Sequence, residues 1–226
     1  MFARYLTIFI LAALEKAIAL CVEGADISTI CGTVDDFIGE ELLKTFSNKK
    51  SKKLERGIAF PTCVSVNEIC GNYSPCADDS TKLKNEDIVK IELGCHIDGF
   101  ASNCAHTVVV GGKAKEGAAD VVLAAYDAFL AATRSIKVGG LNQDVTAKIA
   151  AVMADYEVEP MQGVLSHKTK KHLIDGNECI INKETPEQRV EDWEFAPGDV
   201  IHLDVYASTG DGMGREAEAR TTVYSR

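Results

Sequence analysis

Glu92 and Asn103 are the polar pair in this chain whose types and spacing bear most directly on chemistry. They sit in Lys90–Val110, KIELGCHIDGFASNCAHTVVV. Ile88, Lys90 and Glu92 alternate with Val89, Ile91 and Leu93, which is the period of a half-buried strand. Asp98-Gly99 is a hairpin-turn dipeptide, and Ala101–Val110 continues as a second strand. A two-residue loop pairs residue 92 with 105 and residue 94 with 103, so positions 92, 103 and 105 share one face. Positions 92 and 103 are then diagonal neighbours, about 7–8 Å apart and within reach of one shared ion. A hydrolytic centre with two metal ions needs two carboxylates there. This chain offers one carboxylate and one neutral amide, and an amide oxygen is a weak ligand that cannot offset the repulsion of two adjacent cations.

Two further segments carry candidate side chains. In VIHLDV, alternation puts His202 and Asp204 together, opposite Ile201, Leu203 and Val205. His167 lies in GVLSHKTKKHLIDG, Gly163–Gly176. Taken singly, Glu92 and Asp204 fit a solvated sheet face equally well, and His167 fits a hydrogen-bonded histidine in a turn.

The elements that must position these residues follow from periodicity. Helices are expected over Tyr5–Val22, Ser28–Ser47, Gly117–Ile136 and Leu141–Tyr156, the third with Val121, Val122, Ala125, Phe129 and Ala132 on its apolar stripe. Strands are expected over Ile58–Val66, Ile88–Val110, Met161–Leu165, Val200–Ala207 and Arg220–Tyr224. A polar loop spans Ile181–Pro197 with Trp193 as its anchor, and no internal repeat stands out. The class is α+β: an antiparallel curved sheet with helices on one face.

The chain has 226 residues, 46% hydrophobic and 26% charged, which suits a substantial globular core. Its net charge of −10 disfavours broad tracking of nucleic-acid phosphates. Lys49, Lys50, Lys52, Lys53 and Arg56 form a local basic run, readable as a solvated face, a nuclear-import signal or an RNA contact. None of the eight cysteines forms a CxxC pair and most adjoin apolar residues, which points to reduced thiols. No zinc-finger spacing or phosphate-binding glycine loop occurs. The apolar run Tyr5–Leu14 after Arg4 fits a short signal peptide or an amphipathic helix. Glu15-Lys16 and the stripe Leu14, Ile18, Cys21, Val22 favour the helix, and the run is too short to span a bilayer.

GIAFPTCVSVNEICGNYSP (Gly57–Pro75), the hairpin, Gly163–Gly176 and DVIHLDVYASTGDG (Asp199–Gly212) resemble, in order, blocks of type-2 methionine aminopeptidases. They are more similar still to the proliferation-associated, or ErbB-receptor-binding, proteins, which lack peptidase activity. The resemblance runs collinearly from about Glu15 to Arg226. It implies the pita-bread fold, incomplete at the C-terminus, with N-terminal helices and a basic linker over 1–56 and a partial aminopeptidase-like domain over 57–226. An open sheet edge prone to self-association would follow.

In the peptidases this fold holds two cobalt, manganese or iron ions with two Asp, one His and two Glu. Those ligands fall on Glu92, Asn103, His167 and Asp204, with the last Glu beyond Arg226. Substrate-site positions fall on Asn72, where the peptidases have His, and on His172. The resemblance therefore implies a non-catalytic scaffold without a cofactor, with protein, ribosomal or RNA partners and a cytoplasmic and nuclear or nucleolar location. A divergent metal-dependent methionine aminopeptidase is the alternative.

Overall fold

The computed structural model describes residues 2–45, 54–115, 117–216 and 220–224. The chain divides into two compact units, one built from Met1–Ala114 with Glu218–Arg226, the other from Lys115–Ala217. The division falls after residue 114 rather than after 56, because the N-terminal helices pack on the sheet that follows them.

In the first unit, α1 (Phe2–Leu20) and α2 (Ile27–Lys44) pack against an antiparallel sheet of β1 (Arg56–Val66), β2 (Ile88–Ile97) and β3 (Phe100–Val109), in the order β1-β2-β3. Helix α1 runs unbroken through Glu15-Lys16. It buries Leu6, Ile10, Ala13, Leu14, Ala17 and Cys21 in the unit's core, so the amphipathic helix is what forms here. Val22, expected on that stripe, lies past the helix end and is exposed.

Asp26 starts α2, its carboxylate accepting from the Thr29 amide at 2.9 Å and the Ser28 hydroxyl at 2.8 Å. Helix α2 is tied to β1 through Asp35, which accepts from the Thr62 amide and hydroxyl at 2.9 and 2.6 Å. Strand β2 buries Val89, Ile91, Leu93, Cys95 and Ile97 against the helices. That alternation places Lys90, Glu92, Gly94 and His96 on the opposite face.

The β2–β3 hairpin has the expected register: Glu92 opposite Ala105 and Gly94 opposite Asn103. Its two turn residues, Asp98 (φ 55°) and Gly99 (φ 78°), are both left-handed, as a type I′ turn requires. Strand β1 is irregular between Ile58 and Cys63, where Pro61 has no amide to give to the ladder.

In the second unit, α3 (Ala118–Ser135) and α4 (Asn142–Asp155) precede β4 (Glu159–Pro160), β5 (Leu165–Thr169), β6 (Cys179–Ile181), β7 (Val200–His202) and β8 (Ala207–Ser208). Strands β6-β5-β7 form one antiparallel sheet, and β4-β8 form a second. All sheets among the described residues are antiparallel. Helices α3 and α4 close over a core of Ala124, Ala128, Ala132, Val145, Ile149 and Met153. The apolar side of α3 is thus centred on its alanines rather than on Phe129, which is 40% exposed.

The expected strand over Val200–Ala207 is interrupted at residues 203–206. The Ser166 hydroxyl accepts from the Asp204 amide (2.9 Å) and donates to its carbonyl (3.1 Å), taking the place of ladder bonds. The loop after β6 is anchored by Trp193, whose indole donates to the Cys179 carbonyl at 2.8 Å and packs edge-on to Phe195. Residues 220–224 form no strand. The Thr222 hydroxyl there donates to the Ser74 carbonyl.

The two units repeat one plan. A left-handed glycine, Gly24 or Gly139, joins each helix pair. Gly24 and Ala25 exchange backbone bonds with Leu83, as Gly139 and Gly140 do with Phe195. The next turn is closed by Asp87 accepting from the Lys84 amide (2.7 Å) in one unit, and by Asp199 accepting from the Ala196 amide (2.8 Å) in the other. DIVKIE (87–92) and DVIHLD (199–204) are therefore equivalent, and Glu92 and Asp204 occupy the same place in the two copies.

Candidate functional site

In the first unit the site is built on the face of β2 turned away from the helices. Glu92 and Asn103 are the diagonal neighbours expected from the register. The Asn103 side chain lies over Gly94: a Cβ at that glycine would fall 2.0 Å from Asn103 Oδ1 and 3.0 Å from Phe60 Cβ, so only glycine admits this approach. The loop after β1 curls back to the same face. Asn72, left-handed at φ 60°, donates its amide to Glu92 Oε2 at 3.3 Å.

Lys90 is held beside them, its ammonium donating to the Asn67 carbonyl at 2.7 Å. Burial pushes the Lys90 amine down to about 8, with Cys70, Glu92 and Glu68 opposing that shift. Burial, helped by the Glu92 charge, pushes the Cys63 thiol up, which keeps it protonated and unreactive.

In the second unit, His167 on β5 stands opposite Cys179 on β6 and His202 on β7. It is a strand residue, not a turn residue. Its Nδ1 lies 2.9 Å from the Gly176 carbonyl and 3.4 Å from Cys179 Sγ, so Nδ1 carries the proton and Nε2 is left as the acceptor. His202 Nε2 is 3.7 Å from Asp204 Oδ1. Burial pushes the Asp204 carboxyl up, and His202 and His167 pull it back. His172 sits apart, exposed and left-handed at φ 62° in the turn between Lys170 and Leu173, which exchange backbone bonds.

Of the basic run, Lys49, Lys50, Lys52 and Lys53 lie outside the described residues. Arg56 turns its guanidinium onto the Leu42 carbonyl (3.1 Å) and the Thr45 carbonyl, where a cation suits the negative end of α2. Neither periodicity nor the family resemblance points to Lys90, Ser166 or Cys179. The pattern shared by 87–92 and 199–204 is the signal that pairs Glu92 with Asp204 directly.

These residues do not fit a two-ion hydrolytic centre. The bridging position is an amide packed on Gly94 rather than a carboxylate. Among the described residues, no three His, Cys, Asp or Glu side chains form a group able to hold a metal ion.

The comparisons with known proteins agree with this architecture. Residues 12–220 match metallopeptidase family M24. The chain is 43% identical over 218 residues to proliferation-associated protein A of Dictyostelium discoideum, covering 95% of this chain and 56% of that protein. It is 43% identical over 216 residues to ERBB-3 binding protein 1 of Arabidopsis thaliana, at 95% and 55% coverage. The chain thus spans just over half the length of these curated relatives.

Among solved structures, a thermophilic Arx1 superposes with a TM-score of 0.77 at 24% identity, covering 96% of this chain and 67% of that one. Methionine aminopeptidase from Thermotoga maritima superposes with a TM-score of 0.72 at 21% identity, covering 90% and 77%. These neighbours share the pita-bread fold, which the α+β units described above follow. The chain belongs to metallopeptidase family M24 and is similar within it to the proliferation-associated and ERBB-3 binding proteins.

Proposed function

We propose that this chain is a non-catalytic member of its family, an aminopeptidase-fold scaffold that acts by binding partners. The observation that carries the proposal is Asn103, which stands diagonal to Glu92 where a bridging carboxylate is required and is seated on Gly94. The Asn72 backbone amide already engages the Glu92 carboxylate. Burial works against the charged form of the Asp204 carboxyl, with His202 and His167 opposing that shift, and the charged form is the one a metal ligand must take. The partner class follows from the family likeness: ribosomal particles, structured RNA or growth-control proteins, in the cytoplasm and the nucleus or nucleolus.

Purified protein supplied with cobalt or manganese is expected to release no methionine from Met-Ala or Met-Gly peptides. On a sucrose gradient of cell extract it is expected to sediment with ribosomal particles or with a protein complex. Methionine release that disappears in His167→Ala would establish the divergent aminopeptidase instead. Migration as free protein in every fraction would remove the scaffold reading.

A further inference from the structure

Helix α3 inverts the usual arrangement of a surface helix. Its inner side is small: Ala124, Ala128 and Ala132 are fully buried in the second unit's core. Its outer side is large: Leu123, Tyr126 and Phe129 are 50%, 57% and 40% exposed. Steps of three residues keep them on one stripe, with Val122 and Leu130 half-buried along its margins. Alanines, with Val121 beside them, bring α3 onto this core, so the core makes no demand for Leu123, Tyr126 or Phe129. Side chains of roughly 200 Å² each, about half exposed, make a patch of roughly 300 Å², the size of the largest apolar patch on a typical monomer, which is often functional.

The charges around this stripe are arranged symmetrically. Asp120 and Arg134 are exposed and lie seven residues to either side of Asp127, about 10 Å along the axis in each direction. Asp127 itself is turned aside to accept from the Tyr156 hydroxyl, which leaves the centre of the stripe uncharged. A helix with its acid at the N-terminal end, its base at the C-terminal end and its aromatic residue in the middle is complementary to itself when antiparallel.

We propose that this face of α3 is an isologous contact with a second copy of the chain, the two α3 helices packed antiparallel about a two-fold axis beside Tyr126. That arrangement sets Tyr126 against the same residue of the second copy, Leu123 against Leu130 and Phe129 against Val122. Asp120 comes within reach of Arg134 on the flank. The apolar patch is well below the roughly 800 Å² per partner of a standard interface, so association is weak and concentration-dependent, in the micromolar range or above.

The test is sedimentation velocity on the full 226-residue chain across a concentration series reaching a few hundred micromolar, with circular dichroism to confirm folding of each variant. The unmodified chain should shift from monomer to dimer, and Tyr126→Glu should remain monomeric. Arg134→Glu alone should weaken association about tenfold, while Asp120→Lys combined with Arg134→Glu should restore it. A chain monomeric throughout overturns the second copy as occupant, whatever else this face binds. A dimer that survives Tyr126→Glu places the interface elsewhere. Failure of the double charge exchange to recover association overturns the antiparallel geometry.

Discussion

Asn103 and Asp204 are polar positions of the candidate site, one in each unit, and their environments set opposite expectations for substitution. Asn103→Asp would place a second carboxylate diagonal to Glu92 on the same strand face, where like charges repel by roughly 0.2–1 kcal/mol. In metal-free buffer the variant should melt slightly below the parent, and it should gain no aminopeptidase activity with manganese. Equal melting in the absence of metal would mean that the two side chains do not share a face.

Asp204→Asn should do the reverse. Burial raises the Asp204 carboxyl above its ordinary value of 3.8. Between that value and the raised one, the folded state keeps a proton that the unfolded state has lost. Stability therefore falls as pH rises through that window, and the cost persists above it. The asparagine variant should melt higher than the parent at pH 7 and show little difference at pH 3.5, followed by calorimetry. A lower melting temperature at pH 7 would mean that the carboxylate is held charged by His202 and His167.

At the scale of elements, the second unit depends on a side chain that belongs to no catalytic scheme. Asn142, the first residue of α4, is fully buried. Its amide donates to the carbonyls of Cys179 at 2.9 Å and Glu191 at 3.0 Å, and its oxygen accepts from the Trp193 amide at 3.0 Å. One residue thereby fixes α4 to β6 and to the Trp193 loop. Asn142→Ala removes three hydrogen bonds and takes this partner from the part-buried Trp193 amide and Glu191 carbonyl, while the Cys179 carbonyl keeps the Trp193 indole, which should cost about 2 kcal/mol. Urea melts should show that loss together with a red-shifted Trp193 emission. A variant within about 1 kcal/mol of the parent would show that water replaces the amide.

The first unit uses equivalent ties with different chemistry: the Asp26 cap, Asp35 on Thr62, and Arg56 on the end of α2. The same plan is thus held by carboxylates and a guanidinium in one unit and by an amide in the other. This divergence of the supporting residues is why the repeat is hard to see in the chain.

For the molecule as a whole, the net charge of −10 decides the kind of partner surface that can be offered. At about 150 mM salt, fluorescence anisotropy should find mixed-sequence duplex DNA or RNA bound no more tightly than about 10⁻⁴ M. Tighter binding with a steep salt dependence would assign the Lys49–Lys53 run to phosphate contact.

The sequence by itself determined the hairpin and its register. Strict alternation from Ile88 to Leu93 and an Asp-Gly turn admit one pairing without moving every side chain to the wrong face. The diagonal of Glu92 and Asn103 is therefore legible in the residue pattern alone, as are the existence of the four helices and the anchoring role of Trp193. Tertiary structure decided three things. It chose which side of α3 is buried, because periodicity alone cannot say whether alanines or aromatics face a neighbour whose spacing is unknown. It broke the expected strand at residues 203–206, because Ser166, distant in sequence, supplies the competing hydrogen bonds. It also set the Asn103 amide on Gly94 and raised the Asp204 carboxyl, since close approach and burial belong to the packed molecule and not to a local pattern of residues.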